Sequence, residues 1–471
     1  MSDTTDATTF PVPDPQLDGF PGAEAAATAA TPVDEQAKPA PRLRTANRQQ
    51  FEMHYSCADE LVGPNHRVRT LWAAVDSQDW SAFSEPIKAR EGVAGRQATD
   101  PKVLAALWLY AATRNVGSAR ELDRLCKESD PFKWILGGLT VNYHLLASFR
   151  VGHGQALDEM FTAILATLAD QGLIDPKRIM QDGIRVRAAA GAGSYRSGER
   201  LEQLLEAARQ HMKELREQIE TPARSSELSA RKKAARLRAA EDRQRRLEEA
   251  VARLPELKRK QQEAAERAGV NGQRGQKILD KTLRVSTTDP IVPVMKMANG
   301  GFNPALNIQL AAETKGRAIV GVAVTTEGSD SANQAEPMRQ QVEQRTQRTV
   351  EEQGLDGGYT TIEDIEKAHA QGVRLFMPPK PARNKDNKGL ELEPKPKDSP
   401  AILDWKKRMS SDEGKEIYKQ RGSTSETINA DLRQHRALKQ FGVRGLDKVT
   451  SVVLWCAMAY NLMIFAKALA T

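Results

Sequence analysis

From residue 50 to 175 the apolar positions recur at helical spacing, and the breaks between them carry helix start and stop signals. In "ATDPKVLAALWLYAAT" Asp100 stands as the N-cap. Pro101 takes the first helical position, where a missing N–H costs nothing. In "GSARELDRLCKESD" Ser118 and Glu121 have capping-box spacing. "NYHLLASFRVGHGQALDEMFTAILATLADQGL" predicts one or two helices ended by Gly172. Short helices joined by tight turns and carrying Arg114, Arg120, Arg124, Lys127 and Arg150 read equally as a helix-turn-helix DNA module and as a plain bundle with a solvated basic face.

The period changes at "RIMQDGIRVRAAA", residues 178–190. Alternation predicts a strand, with Asp182 on the side of Met180, Ile184 and Val186. A carboxylate on that apolar side is costly unless it is paired or metal-bound. From Leu201 through Leu205, Ala208, Met212, Leu215 and Ile219 the apolar spacing is that of a heptad seam, stopped by Pro222. A second charged segment, from Ser226 to about Ala268, repeats the pattern with Leu247, Val251 and Leu254. Together they predict an antiparallel helical hairpin inserted between strands. An arm for a dimer or for DNA is one use of it; an intrachain spacer is the simpler one.

Residues 305–326 predict a β-hairpin turning at Lys315-Gly316. A helix at about 332–343 follows, then the tight-turn sequence "QGLDGGYT", a helix in "TIEDIEKAHAQG" and a strand over Val373–Pro379. A Lys- and Pro-rich loop runs to about Pro400, and helices in "EGKEIYKQR" and "SETINADLRQHRALKQF" come next. The stretch Val449–Ala470 is long and apolar enough for a membrane span. Asn461 in its middle and the charged approach favour a buried core helix. Strands and helices in this order predict a mixed α/β plan.

Composition adds three points. Residues 1–48 are rich in Ala, Pro, Thr and Asp and poor in large apolar side chains, so a disordered tail without an apolar leader run is expected. Cys57, Cys126 and Cys456 are far apart and odd in number, which suggests neither a zinc site nor a disulfide framework and fits a reducing cytoplasm. The net charge of +7, from 69 basic and 62 acidic residues, favours a polyanionic partner, with nucleic acid the first expectation.

Three acids stand at element ends: Asp182 in the first strand, Asp356 before Gly357-Gly358, and Glu426 at the head of a helix. Carboxylates converging from separate elements are what two hard cations need to activate an attacking and a leaving oxygen. Each acid also has a plain explanation. Asp182-Gly183 reads as a bulge, Asp356 as turn chemistry, and Glu426 as the third residue after Ser423 in a capping box. Asp289 before Pro290 reads as a turn, Asp330 as a helix cap or DNA-side contact that competes with Asp356 for the place of second acid, and His435 as a packed or phosphate-facing residue.

Taken together, "RIMQDGIRVRAAA", "ALNIQLAAE", "LDGGYT" and "YKQRGSTSETINADLRQHRALKQFGVRGLDKV" resemble the DDE transposases of bacterial insertion sequences, in the group with a helical N-terminal domain and a long insertion after the first Asp. The resemblance spans roughly residues 50–465. It implies an α/β, ribonuclease H-like catalytic core (176–198 and 280–471), an all-helical DNA-binding domain (49–175) and an inserted charged helical hairpin (199–279). It makes Asp182, Asp356 and Glu426 the ligands of two Mg²⁺ ions, with Mn²⁺ able to substitute. Tyr418, Arg421, Glu426 and Arg433 match the Tyr-x-x-Arg…Glu…Lys/Arg signature. Arg421 and Arg433 are then expected to clamp phosphates, and Tyr418 to position the backbone or a displaced base. Asn307 and Gln309 match a family "N-x-Q", and Arg120 and Arg150 fall in segments resembling the DNA-end-binding domain.

The implied partner is double-stranded DNA, both element ends and target, bound by at least a homodimer in the bacterial cytoplasm and nucleoid, with no membrane. One departure stands out. The strand before Asp356 is expected to be apolar, yet it reads "VEEQGL", and Glu351, Glu352, Gln353 and Gly354 are poor strand formers. A locally weak core is expected there. An inactive DNA-binding relative on the same scaffold is the alternative reading.

Overall fold

The computed structural model describes residues 49, 51, 57–90, 92, 94, 97–220, 229–270, 272–328, 334–381 and 389–470. The tail expected over 1–48 and the competing acid Asp330 lie outside the described residues. Every element named below lies in the compact unit Ser56–Thr471.

The helical pattern before residue 175 becomes α1 (Arg67–Asp76), α2 (Pro101–Thr113), α3 (Ala119–Glu128), α4 (Asp130–Leu136), α5 (Tyr143–Gly152) and α6 (Gly154–Asp170). The start signals act as read. The Asp100 carboxylate accepts the Lys102 N–H at 2.8 Å, and the Ser118 hydroxyl accepts that of Glu121 at 3.4 Å. Glu121 turns its carboxylate to Arg124 at 2.6 Å instead of closing the capping box. Gly172 follows α6 at φ +67°, where only glycine is free of Cβ strain. Helix α2 is apolar on every side and buried from Val103 to Ala112, as a central helix must be.

The rest is a sheet with helices: β1 (Arg178–Arg187), β2 (Tyr195–Ser197), α7 (Gly198–Glu220), α8 (Ala230–Ala268), α9 (Gln273–Leu279), β3 (Arg284–Ser286), β4 (Val294–Lys296), β5 (Phe302–Glu313), β6 (Ile319–Thr325), α10 (Ala335–Thr346), β7 (Glu352–Gly354), α11 (Ile362–Ala370), β8 (Arg374–Phe376), α12 (Pro400–Ser410), α13 (Asp412–Arg421), a π-helical turn (Gly422–Glu426), α14 (Thr427–His435) and α15 (Leu446–Leu469). The fold is thus mixed α/β with a helical N-terminal part. Strand β5 is flanked by β1 on one side and by β6 and β4 on the other, all antiparallel; beyond β1 lie β7 and then β8, both parallel to it. The register sets Asp182 opposite Leu310 and Ile179 opposite Gln353.

The heptad seam closes within the chain. Leu201, Leu205 and Ala208 of α7 pack on Leu247 and Ala250 of α8, while Met212 and Leu215 pack on Ala240 farther out, so the two helices run antiparallel. The ladder of β2 with β3 ties the base of this hairpin together.

Helix α15 is long and apolar enough to cross a membrane, but 72% of its most apolar window is buried. Its side chains join one core with α2, α6 and the β5–β6 hairpin. Asn461 explains its own place in that helix. Its amide receives the Ile319 N–H at 2.9 Å and donates to the Ile319 carbonyl at 2.8 Å, which pins α15 to β6.

The polar strand β7 forms nonetheless, and its composition is the reason. Glu352 pairs with Arg178 and, at 2.5 Å, with Arg374 on the two neighbouring strands. Gln353 donates to the Gln181 side chain at 2.8 Å, and Gln181 donates to Gln309 at 3.0 Å. The Tyr359 hydroxyl donates to the same Gln309 oxygen. A buried amide ladder therefore crosses β7, β1 and β5, and it continues into α10 through the Ala335 carbonyl at 3.0 Å from Gln353. Buried polar groups that are fully partnered specify a core instead of weakening it. Gly354 is demanded by packing, because a Cβ there would lie 2.1 Å from Met180 Sδ.

Two boundaries differ from the sequence reading. Helix α12 forms just after the expected polar loop, in a stretch for which no element was expected, because Ala401, Ile402, Trp405 and Met409 give it an apolar stripe. The helix expected to run to Phe441 stops at His435, with Ala437 at φ +59°.

Candidate active site

Asp182 sits at the middle of β1, on the opposite face from Gln181, and its carboxylate is 17% exposed. One oxygen accepts the Gly183 N–H at 2.9 Å; the other accepts the Asn429 amide at 3.0 Å. The same oxygen lies 3.4 Å from the Arg421 guanidinium, which also donates to Glu426 at 2.6 Å.

The meeting of Arg421 and Glu426 is a product of helix geometry. Five residues apart on an α-helix, two side chains point about 140° away from each other. The intervening Gly422–Glu426 turn is π-helical, and its i to i+5 repeat sets them on one side. The Thr427 hydroxyl, donating to the Gly422 carbonyl at 3.1 Å, follows the same repeat. Chain from Asp412 to His435 is consequently continuous helix. Ser423 lies inside it and donates to the Gln420 carbonyl at 3.1 Å, so the capping-box explanation of Glu426 does not hold.

Asp356 stands two residues past β7, after the buried Leu355. Its carboxylate accepts the Gly358 N–H at 2.5 Å, an Asx-type turn. Neither Gly357 nor Gly358 adopts positive φ; Gly357 serves a close approach to Pro378, which lies 3.3 Å from a Cβ placed there. Asp356 lies within electrostatic reach of both Arg421 and Tyr418. Burial opposes the Arg421 charge, but Asp182, Tyr418, Glu426 and Asp356 outweigh it and raise its pKa. Burial also raises the Tyr418 hydroxyl, against the pull of Arg421, whose guanidinium carbon is 5.8 Å from the ring centroid. Two acids, Asp182 and Glu426, thus contact one guanidinium, and Asp356 lies within its electrostatic reach.

Carboxylate oxygens are the donors that a hard divalent cation takes. As arranged, no three of His, Cys, Asp and Glu among the described residues stand close enough together to hold an ion. Arg421 supplies the positive charge between Asp182 and Glu426.

The remaining expected residues divide. Arg120 is exposed and lies over the Tyr143 ring at 5.2 Å. Arg433 donates to the Arg185 carbonyl at 3.2 Å, which ties α14 to β1. Three of the expected site residues, Asn307, Gln309 and Arg150, are held by partners within the protein. Gln309 belongs to the amide ladder and is fully buried; Asn307 is fully buried beside it on β5, near the Glu327 carbonyl. Arg150 lies over the Trp108 ring at 4.3 Å and donates to the Gly117 carbonyl at 2.6 Å, and its Nε is buried. His435 is exposed, while Asp289 is buried and accepts the Gly445 N–H at 3.0 Å, joining the β3–β4 connection to the start of α15. The sequence reading passed over Asn429. Its signal was a buried polar position on the Ile428–Leu432 face of α14, one turn after Glu426.

Residues 56–151 match the family model described as Transposase domain (DUF772), and residues 378–465 match the one described as Transposase DDE domain. The first span contains Arg120 and Arg150; the second contains Tyr418, Arg421, Glu426 and Arg433. No curated protein matches the chain, and no solved structure does. One transposase match thus lies on the N-terminal helices and the other on the segment that carries Arg421 and Glu426 to Asp182, and together they support an insertion-sequence DDE transposase.

Proposed function

We propose that this transposase binds the ends of its element, hydrolyses the phosphodiester there and joins the freed 3′-OH to target DNA, with Asp182, Asp356 and Glu426 as the acting carboxylates. One observation carries the reading: Arg421 bridges Asp182 of β1 and Glu426 of the π turn, and Asp356, just beyond β7, lies within its electrostatic reach. The strand order β6-β5-β1-β7-β8, antiparallel up to β1 and parallel after it, supports a ribonuclease H-like core over 176–198 and 280–471. The helices of 49–175 are then the end-binding domain, and the hairpin of 199–279 is a spacer whose seam is spent within the chain.

Asp182, Asp356 and Glu426 would hold two divalent ions, Mg²⁺ or Mn²⁺ in its place, which when bound activate water and stabilise the leaving oxygen. Asn429 fixes the Asp182 carboxylate. Arg421 has a planar fork suited to a phosphate, and Tyr418 beside it flanks the place where the strand would lie. Arg433 orients α14 on β1. Both DNA substrates, a dimer or larger assembly on them, and a cytoplasmic, nucleoid-associated setting belong to the same reading.

The test uses short duplexes carrying candidate element ends with Mg²⁺ or Mn²⁺. Cleavage by the wild type that is abolished in Asp182→Ala, Asp356→Ala and Glu426→Ala is expected. Salt-sensitive binding with no cleavage by the wild type would overturn the reading in favour of a DNA-binding relative that has lost activity.

A further inference from the structure

Resting on the proposed two-ion reading, we infer that Arg421 is an internal counter-ion, which holds Asp182 and Glu426 while DNA is absent and leaves them for a DNA phosphate, so that cation uptake and substrate binding are coupled. The contacts are those of a stand-in. One arm of the guanidinium is 3.4 Å from Asp182 and the other 2.6 Å from Glu426; the Arg421 and Asp182 side chains are only 16% and 17% exposed, while that of Glu426 is 55% exposed on the open side of the site. An arginine side chain stays charged at any physiological pH. Its guanidinium and a divalent ion cannot share two carboxylates at such distances without strong repulsion in a partly desolvated site.

The acids would repel one another if Arg421 withdrew with nothing to replace it. A phosphate supplies the guanidinium with an equivalent bidentate partner, and a cation supplies the carboxylates with theirs. Each exchange makes the other easier, and such coupling is reciprocal by linkage. The Asn429 amide oxygen is buried and has no hydrogen-bond partner, next to the amide nitrogen that holds Asp182. A polar acceptor is thus already in place beside the carboxylate that Arg421 would vacate.

The experiment is Mn²⁺ binding by the full chain, read from the electron paramagnetic resonance signal of free Mn²⁺, with and without an end duplex. Without DNA the wild type is expected to bind weakly and R421Q about tenfold more tightly. That gain should vanish in R421Q/D182N. The duplex should tighten the wild type and leave R421Q nearly unchanged. R421K, which keeps a charge but cannot bridge both acids, should fall between them and carries the test if R421Q fails to melt cooperatively. Equal Mn²⁺ affinity of wild type and R421Q without DNA, or equal tightening of both by the duplex, overturns the counter-ion role alone. Absence of Asp182-dependent Mn²⁺ binding in every form, with DNA present, overturns the two-ion reading beneath it as well.

Discussion

Asn429 donates its amide to Asp182 at 3.0 Å, and so fixes the carboxylate of β1 from a helix 247 residues later in the chain. The Asp182 side chain has rotamers to choose from, and this bond together with the Gly183 N–H selects one. Asn429→Ala should lower cleavage about 10–100-fold, as loss of a group that orients a ligand does elsewhere. DNA binding and thermal stability should move little by comparison. Equal cleavage by wild type and variant in a single-turnover assay would show that Asp182 needs no such support.

The amide ladder makes the second prediction. Gln353→Leu removes the middle of the chain Gln309–Gln181–Gln353–Ala335 and leaves buried groups unpaired. A cost of about 1–3 kcal/mol is expected, seen as a lower denaturant midpoint at unchanged slope. Gly354→Ala should cost a similar amount, about 1–3 kcal/mol, through the clash with Met180. A Gln353→Leu variant as stable as the wild type would show that the ladder adds no net stability.

That ladder also marks where the sequence was hard to read. Apolar patterning is legible wherever one face or a whole element turns from water, and α2, α15, β1 and the α7–α8 seam were read from it. The motif around Tyr418 and Glu426 was equally plain. Strand β7 was opaque because its partners, Gln181, Arg178 and Arg374, come from strands more than 20 residues or more than 170 residues away, and no local pattern announces them. Helix α12 was hidden by the Lys- and Pro-rich segment before it. The internal partners of Gln309 and Arg150 were illegible for one shared reason. A polar side chain quoted from a motif gives no sign of whether its partner is solvent, DNA or the protein's own core.

Asp289 gives a pH dependence. Burial pushes its carboxyl above the ordinary aspartate value of 3.8, against the Gly445 N–H, Arg444 and the Ile291 N–H, which lower it, while Glu249 adds to the rise. The folded state then holds this proton more tightly than the unfolded chain does. Stability from this group is fully present below the unfolded value and is lost as pH climbs through the folded one. Asp289→Asn keeps an acceptor for the Gly445 N–H and removes the titration. The melting temperature of the wild type should therefore fall relative to the variant as pH rises from below the ordinary aspartate value of 3.8 through the raised folded-state value. A difference that is flat across that range, or that grows in favour of the wild type, would contradict the assignment.

Arg120 and Arg150 belong to the same transposase match, and a basic residue in an end-binding segment invites one role for both. Their surroundings separate them. Arg120 is exposed, with Tyr143 under its guanidinium and the face toward solvent left for a phosphate. Arg150 is enclosed between the Trp108 ring and the Gly117 carbonyl, and its own carbonyl receives the Trp455 indole N–H at 3.0 Å, so it joins α5 to α15. Arg120→Ala should weaken end binding, reduce the salt dependence by about one phosphate contact and leave the melting temperature unchanged. Arg150→Ala should lower stability by about 2 kcal/mol, from a desolvated cation–π contact and an orphaned carbonyl. At a temperature where that variant is still folded, its salt slope for DNA should equal that of the wild type. The two measurements are independent, so a reduced salt slope in folded Arg150→Ala would return Arg150 to the DNA surface.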